Sequence, residues 1–210
     1  MVCMLRLVRS LCLLAFPAFS QNPYTTSPRN YQLVFENDSV RVSKAMFAPG
    51  DRLPVHEHPA GPTVFVYLTD GGPIKFTHVE PKFTVERKSV KAGAVRFHTG
   101  SKETHIVEYM GDAPSEYFRI ELKTDRPEKK TGTLRVAAGE TKPFEDSQLR
   151  ISRSECAPNE SCAPLEHPSV VVTLKDRSVS WHLAGSRYRN ESAEPLHQIR
   201  LELKTKPLPQ

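Results

Sequence analysis

Two stretches of this 210-residue chain are versions of one another, and that duplication limits the folds open to it more than any other feature. Phe35-Glu-Asn-Asp-Ser-Val-Arg-Val-Ser-Lys44 lies over Phe144-Glu-Asp-Ser-Gln-Leu-Arg-Ile-Ser-Arg153 at an offset of 109. Ala48-Pro49 then lies over Ala157-Pro158, and Glu57-His58-Pro59 over Glu166-His167-Pro168, with no gap. Near the end of each copy, Arg119-Ile-Glu-Leu-Lys-Thr124 matches Arg200-Leu-Glu-Leu-Lys-Thr205 at an offset of 81, so the second copy is 28 residues shorter. The loss falls between its Val170–Leu174 and Val179–His182 runs, where the first copy has Gly71–Phe97. A repeat of this length implies two units built on one supersecondary plan, the second abbreviated.

The unit itself reads as β structure. Runs rich in Val, Ile, Phe and Thr lie at Tyr31–Phe35, Val40–Phe47, Arg52–His56, Thr63–Leu68, Ile74–His78, Phe83–Val90, Val95–Phe97, His105–Tyr109 and Tyr117–Leu122. Many of the chain's 18 prolines and 10 glycines fall between such runs, and few windows sustain a helical period. Asp70-Gly71-Gly72 predicts a hairpin turn. Short strands with no helices between them point to an antiparallel barrel or jelly roll. The second unit has too few strands to close alone, so it is expected to cover an edge or face of the first.

Gly50-Asp-Arg-Leu-Pro-Val-His56-Glu-His58 carries the chemistry. On an extended strand, residues two apart share a face, so His56 and His58 point the same way and Glu57 the other. A third histidine, His105, lies in a later strand-like run. Three neutral imidazoles facing one interior could hold a divalent Fe, Mn, Ni, Cu or Zn ion with a side left open. The competing reading is two histidines at a polar strand end and a third in a turn. In the second copy, Leu165 replaces His56, Ser186 replaces His105 and Asn159 replaces Gly50, while only His58 has a counterpart, His167. One ligand cannot hold an ion as three do, so any site is confined to the first unit.

These segments resemble the cupin superfamily. Its first motif, Gly-x5-His-x-His, is matched from Gly50 to His58, although Pro62 and Thr63 occupy the positions expected for its glutamate. Its second motif is matched by Gly93 and His105, with Tyr109 where an asparagine often stands. The resemblance spans about Tyr31 to Thr124 and is to small bacterial secreted cupins, bicupin-like with a degenerate second unit. It implies a cupin-type jelly-roll β-barrel or sandwich with an abbreviated unit packed against it. It further implies a metal bound by His56, His58 and His105, a neutral three-histidine set similar to that of some cupin thiol dioxygenases. Such a set leaves the ion more positive and more attractive to an anion. Glu103 or Glu108 could orient a ligand histidine, or be solvated strand-end acids. His98 is a candidate fourth ligand or proton carrier, or a residue of the barrel mouth. Thr63, Phe65, Tyr67, Phe97 and His98 are candidates to line the interior. His78, His182 and His197 have no partner in spacing and receive no role. The superfold hosts many reactions, so two functions stay open: a metal-dependent oxygenase or isomerase acting on a small molecule, and a non-catalytic small-molecule-binding or interaction module without functional metal.

The ends bear on location. Met1 to Ser20 reads as a secretory signal peptide, with Arg6 and Arg9 before an apolar run and Ala18-Phe19-Ser20 at the cleavage point. The run is too short to span a bilayer, so the mature chain is expected in the periplasm or outside the cell with no stable membrane span. The whole chain has 29 Lys+Arg against 24 Asp+Glu. The mature chain loses two arginines, and with no basic run interleaved with aromatics, nucleic acid is not an expected partner. A small molecule and a second copy of the chain are candidate partners. Of four cysteines, Cys156 and Cys162 would remain, and an oxidising compartment would permit a disulfide between them. Residues 21–124 form the expected first unit, 125–132 a charged linker, 133–206 the second unit and 207–210 a frayed tail.

Overall fold

The computed structural model describes residues 21–98, 100, 102–124, 133–136, 139 and 143–205. The expected signal peptide, the linker 125–132 and the tail lie outside the described residues.

The first unit opens with a single helical turn, α1 (Pro23–Thr26), capped by the Asn22 side chain accepting from the Tyr24 amide. Nine strands follow: β1 (Tyr31–Glu36), β2 (Val40–Phe47), β3 (Arg52–His58), β4 (Thr63–Tyr67), β5 (Ile74–His78), β6 (Phe83–Arg87), β7 (Val95–His98), β8 (Glu103–Tyr109) and β9 (Ser115–Leu122). They form two antiparallel sheets. The larger has the order β1-β2-β9-β4-β7 and is extended by β10 (Thr133–Val136); the smaller has the order β3-β8-β5-β6. The Asp70-Gly71-Gly72 turn does not make the expected hairpin, because β4 and β5 belong to different sheets. Gly71 instead bridges Val90, and Gly72 packs so closely on Gly111 that an added Cβ would lie 2.2 Å from its Cα.

The second unit contributes β11 (Phe144–Glu145), β12 (Leu149–Cys156), β13 (Ser169–Thr173), β14 (Ser178–His182) and β15 (Leu196–Leu203), in the order β11-β12-β15-β13-β14. Mapped through the repeat, this is the order of the first unit's large sheet without β10. The counterpart of the small sheet is reduced to fragments. The Leu165 amide still donates to the Ser186 carbonyl where His56 pairs with His105, and Ser161 bridges Arg189 where Arg52 pairs with Glu108. Asn159 has φ +58°, matching Gly50 at +80°. Asparagine is among the few non-glycine residues that enter this left-handed region readily. Cys156 and Cys162 form a disulfide across the adjoining loop.

Strand alternation distributes the core into two layers. On one face of the large sheet, Val40, Val42, Val64, Val66, Phe118 and Ile120 pack on Leu149, Ile151, Val170, Val172, Ile199 and Leu201 of the second unit. On the other face, Phe47, Phe65, Tyr67 and Tyr117 meet Leu53, Phe76, Val107 and Tyr109 of the small sheet. The large sheet is therefore the middle of three layers. The expected barrel is realised as facing sheets, since among the described residues no sheet closes on itself.

Candidate metal centre

Strand order and register assemble the histidine cluster. His56 on β3 pairs with His105 on β8, and His105 pairs with His78 on β5, so three histidines form one row across three neighbouring strands. The next row pairs His58 with Glu103. Paired residues share a face, and this face looks toward the large sheet.

His56, His58 and His105 are 0, 2 and 1 % exposed, and their rings approach at centroid distances of 5.1, 4.9 and 5.4 Å. A ligand nitrogen from each lies within 4.8 Å of the other two. The His56 Nδ1 is 2.9 Å from the Pro54 carbonyl oxygen. Only a protonated Nδ1 can donate there, which leaves the Nε2 lone pair free. That Nε2, the His58 Nε2 and both ring nitrogens of His105 are buried without a hydrogen-bond partner. Buried nitrogens left unsatisfied cost about 1–3 kcal/mol each, and several converging on one point is what a cation would resolve. The residues thus fit a transition-metal ion of the imidazole-binding class.

Electrostatics favour the neutral, ligating form. Burial, then the Arg119 guanidinium, pushes His58 well below the usual histidine range. His105 is pushed down by burial and by His58 and His56, and His56 by burial. Burial also works against Arg119, but Glu121 and Glu103 outweigh it and hold that guanidinium charged. Arg119 Nε donates to Glu121 Oε1 at 2.9 Å, and the same carboxylate oxygen lies 3.8 Å from His58 Nδ1. Glu121 therefore sits behind His58, on the side away from its free Nε2. Tyr31 packs on both His56 and His58, at 5.4 and 5.5 Å.

A pH dependence follows. Histidines with folded pKa values below about 6.5, the unfolded value, contribute stability that is present above that pH and lost as the pH falls. The metal-free protein is expected to lose stability progressively below pH 6.5, with a slope approaching about 1.4 kcal/mol per pH unit for each such histidine. Melting temperatures of chelator-treated protein at pH 8, 7, 6 and 5 measure it, and a flat profile would contradict the assignment of buried neutral imidazoles.

Other sequence expectations divide. Phe65 and Tyr67 face the interior, and Thr63 is buried on the same face, where its strand partners are His98 and Glu121. His98 also faces inward, with Nε2 3.5 Å from Glu103 Oε1. Phe97 does not line the interior. It points the opposite way, into the layer shared with the second unit, against Phe144. His78, to which spacing gave no role, and Glu103, expected as an orienter of a ligand histidine or a solvated acid, form with His105 a second group whose ligand atoms lie within 4.8 Å of one another. The parity of Glu103 with His105 on one strand was readable; the adjacency of β5 to β8 was not.

No family model and no curated protein sequence matches the chain. Solved structures do. AerE from Microcystis aeruginosa matches with a TM-score of 0.53 at 12 % identity, over 82 % of this chain and 96 % of that one. YhaK from Escherichia coli matches with a TM-score of 0.51 at 14 % identity, over 84 % and 92 %. The fold is cupin-like. A quercetin 2,3-dioxygenase from Acinetobacter baumannii also matches, with a TM-score of 0.50 at 12 % identity, over 80 % of this chain and 75 % of that one. At such identities the likeness is one of architecture, and function has to be argued from this chain's own side chains. No helix among the described residues is long and apolar enough to cross a membrane.

Proposed function

We propose that this chain is an exported, bicupin-like protein with a degenerate second unit, which binds one divalent transition metal through His56, His58 and His105 and acts on a small molecule. The observation that carries the reading is the convergence of unpartnered imidazole nitrogens from paired strands onto one buried point. When bound, the ion would supply Lewis acidity or oxygen activation, the chemistry of an oxygenase or isomerase. The chain's own part is to hold the three rings in register, to keep them neutral through burial, and to exclude bulk water. Glu103, beside His105, stands where a carboxylate could complete the ligand set. Export is supported by the leader pattern of residues 1–20 and by the Cys156–Cys162 disulfide, which suits an oxidising compartment.

A second reading has its own support. None of the three histidines lines the aromatic cavity of about 450 Å3 between the sheets of the first unit, and Phe76, which does line it, packs on His105. An ion held apart from that cavity would serve a non-catalytic binding module. Elemental analysis of the as-isolated mature protein tests the common claim, and about one transition-metal ion per chain is expected. Oxygen consumption or isomerisation of an added ligand by that protein supports the enzyme; a full complement of metal that is inert to all ligands supports the module. Protein isolated and reconstituted without stoichiometric metal overturns both.

A further inference from the structure

Between the two sheets of the first unit, toward the β5–β6 edge, lies a cavity of about 450 Å3, within the size range of small-molecule sites. Its walls are aromatic: Phe47, Tyr67, Phe76, Tyr109 and Tyr117. Its polar lining has one sign of charge. Arg87, Lys88, Lys91 and Arg96 line it, and no aspartate or glutamate does. Lys91 belongs to the rim, where it is exposed and paired with Asp70 at 2.6 Å. Arg87 is the distinctive group. Its guanidinium lies 4.1 Å from the Phe76 ring centre and 5.6 Å from that of Phe65, and its buried Nε has no hydrogen-bond partner. Burial disfavours its charge, and Glu103 acts on it only through space. Stacking on aromatic rings returns about 0.5–2 kcal/mol, less than a desolvated cation lacks without a counter-ion. A planar guanidinium in that position matches a carboxylate in a two-point fork.

We propose that this cavity binds a small aromatic carboxylate, with Arg87 receiving the carboxylate and the aromatic walls the ring. A free inorganic anion would leave the apolar walls unfilled, and a neutral aromatic would leave Arg87 without its counter-ion. Phe76 connects this cavity to the histidine cluster, its ring 5.2 Å from that of His105, so the ligand lies one side-chain layer from the candidate ion. What becomes of the ligand rests on the metal reading above; the binding does not.

Calorimetric titration of the full mature chain, both chelator-treated and metal-loaded, tests this with benzoate, cinnamate and 3-phenylpropanoate, their amides, acetate and inorganic phosphate. At least one aromatic carboxylate is expected to bind in both forms, with its amide, acetate and phosphate each weaker by about tenfold or more, equivalent to about 1.4 kcal/mol. R87Q is expected to remove that preference for carboxylate over amide while metal content stays at the wild-type level. R87K, which keeps the charge but not the fork, should fall between the two and serves if R87Q does not fold. The proposal is overturned if no aromatic carboxylate binds, if amide or phosphate binds as tightly, or if both Arg87 variants bind like wild type. Metal content is measured on the same samples, so carboxylate binding without metal sinks only the metal reading, and metal without carboxylate binding sinks only this one.

Discussion

His105→Ala is expected to reduce bound transition metal from about one ion per chain to near none, with the sheets intact. His105 is the hinge of the cluster: it pairs with His56 on one side and His78 on the other, and it is the histidine shared by both candidate ligand groups. Neither of its ring nitrogens has a protein partner, so its removal breaks no hydrogen bond within the chain. Loss of an orienting neighbour costs a metal site about 10- to 100-fold in affinity, and loss of a direct ligand should exceed that. Elemental analysis beside far-ultraviolet circular dichroism separates metal loss from unfolding. His167→Ala is the internal control. It occupies the repeat position of His58, but Leu165 and Ser186 stand at the repeat positions of His56 and His105, so it should leave metal content unchanged. Equal metal in wild type and His105→Ala would remove the three-histidine assignment.

Leu201→Ala should lower stability by about 2–5 kcal/mol, the range for deleting a fully buried leucine side chain. Leu201 is 0 % exposed on β15 and lies in the layer between the second unit and the large sheet of the first. Because that layer belongs to both units, the loss should appear as a single urea transition moved to lower midpoint with its slope kept, not as early melting of the second unit alone. The same layer predicts the fate of a truncated chain. Without residues 143–205, Val40, Val42, Val64, Val66, Phe118 and Ile120 would present a continuous apolar face to water, and the remainder should aggregate. Two separated urea transitions in the Leu201→Ala protein would show that the units fold independently.

Much of this was legible in the sequence because β structure writes its pattern locally. Alternation placed His56 and His58 on one face, and the strand from Val40 to Phe47 has the bounds that its composition predicted. The repeat was legible down to the candidate site, since the Leu165 amide donates to the Ser186 carbonyl where His56 pairs with His105. What was not legible depends on which strands are neighbours. Phe97 and His98 are adjacent in sequence, and parity says they face opposite ways, but only the sheet order says that Phe97 meets the second unit. His78 looked solitary because its partner stands 27 residues away on a strand that arrives later in the chain. Arg87 carried no motif; its meaning comes from the Phe76 ring beneath its guanidinium and from a cavity lining that contains no acid.

The three-layer arrangement also sets how the molecule can open. From Tyr117 to Leu122 every residue of β9 is buried, because the small sheet and the histidines cover one face and the second unit covers the other. β9 is also flanked within its sheet by β2 and β4. Its amides therefore have no local route to solvent, and their hydrogen exchange should report the opening of the whole molecule, whereas those of β6, at the edge beside Arg87, should exchange through small local excursions. The strand that carries Arg119 and Glu121 behind the candidate ion is thus the last to move, and the edge that borders the cavity is the first. The second unit, in which the small sheet is reduced to fragments, braces the unit that carries the candidate site.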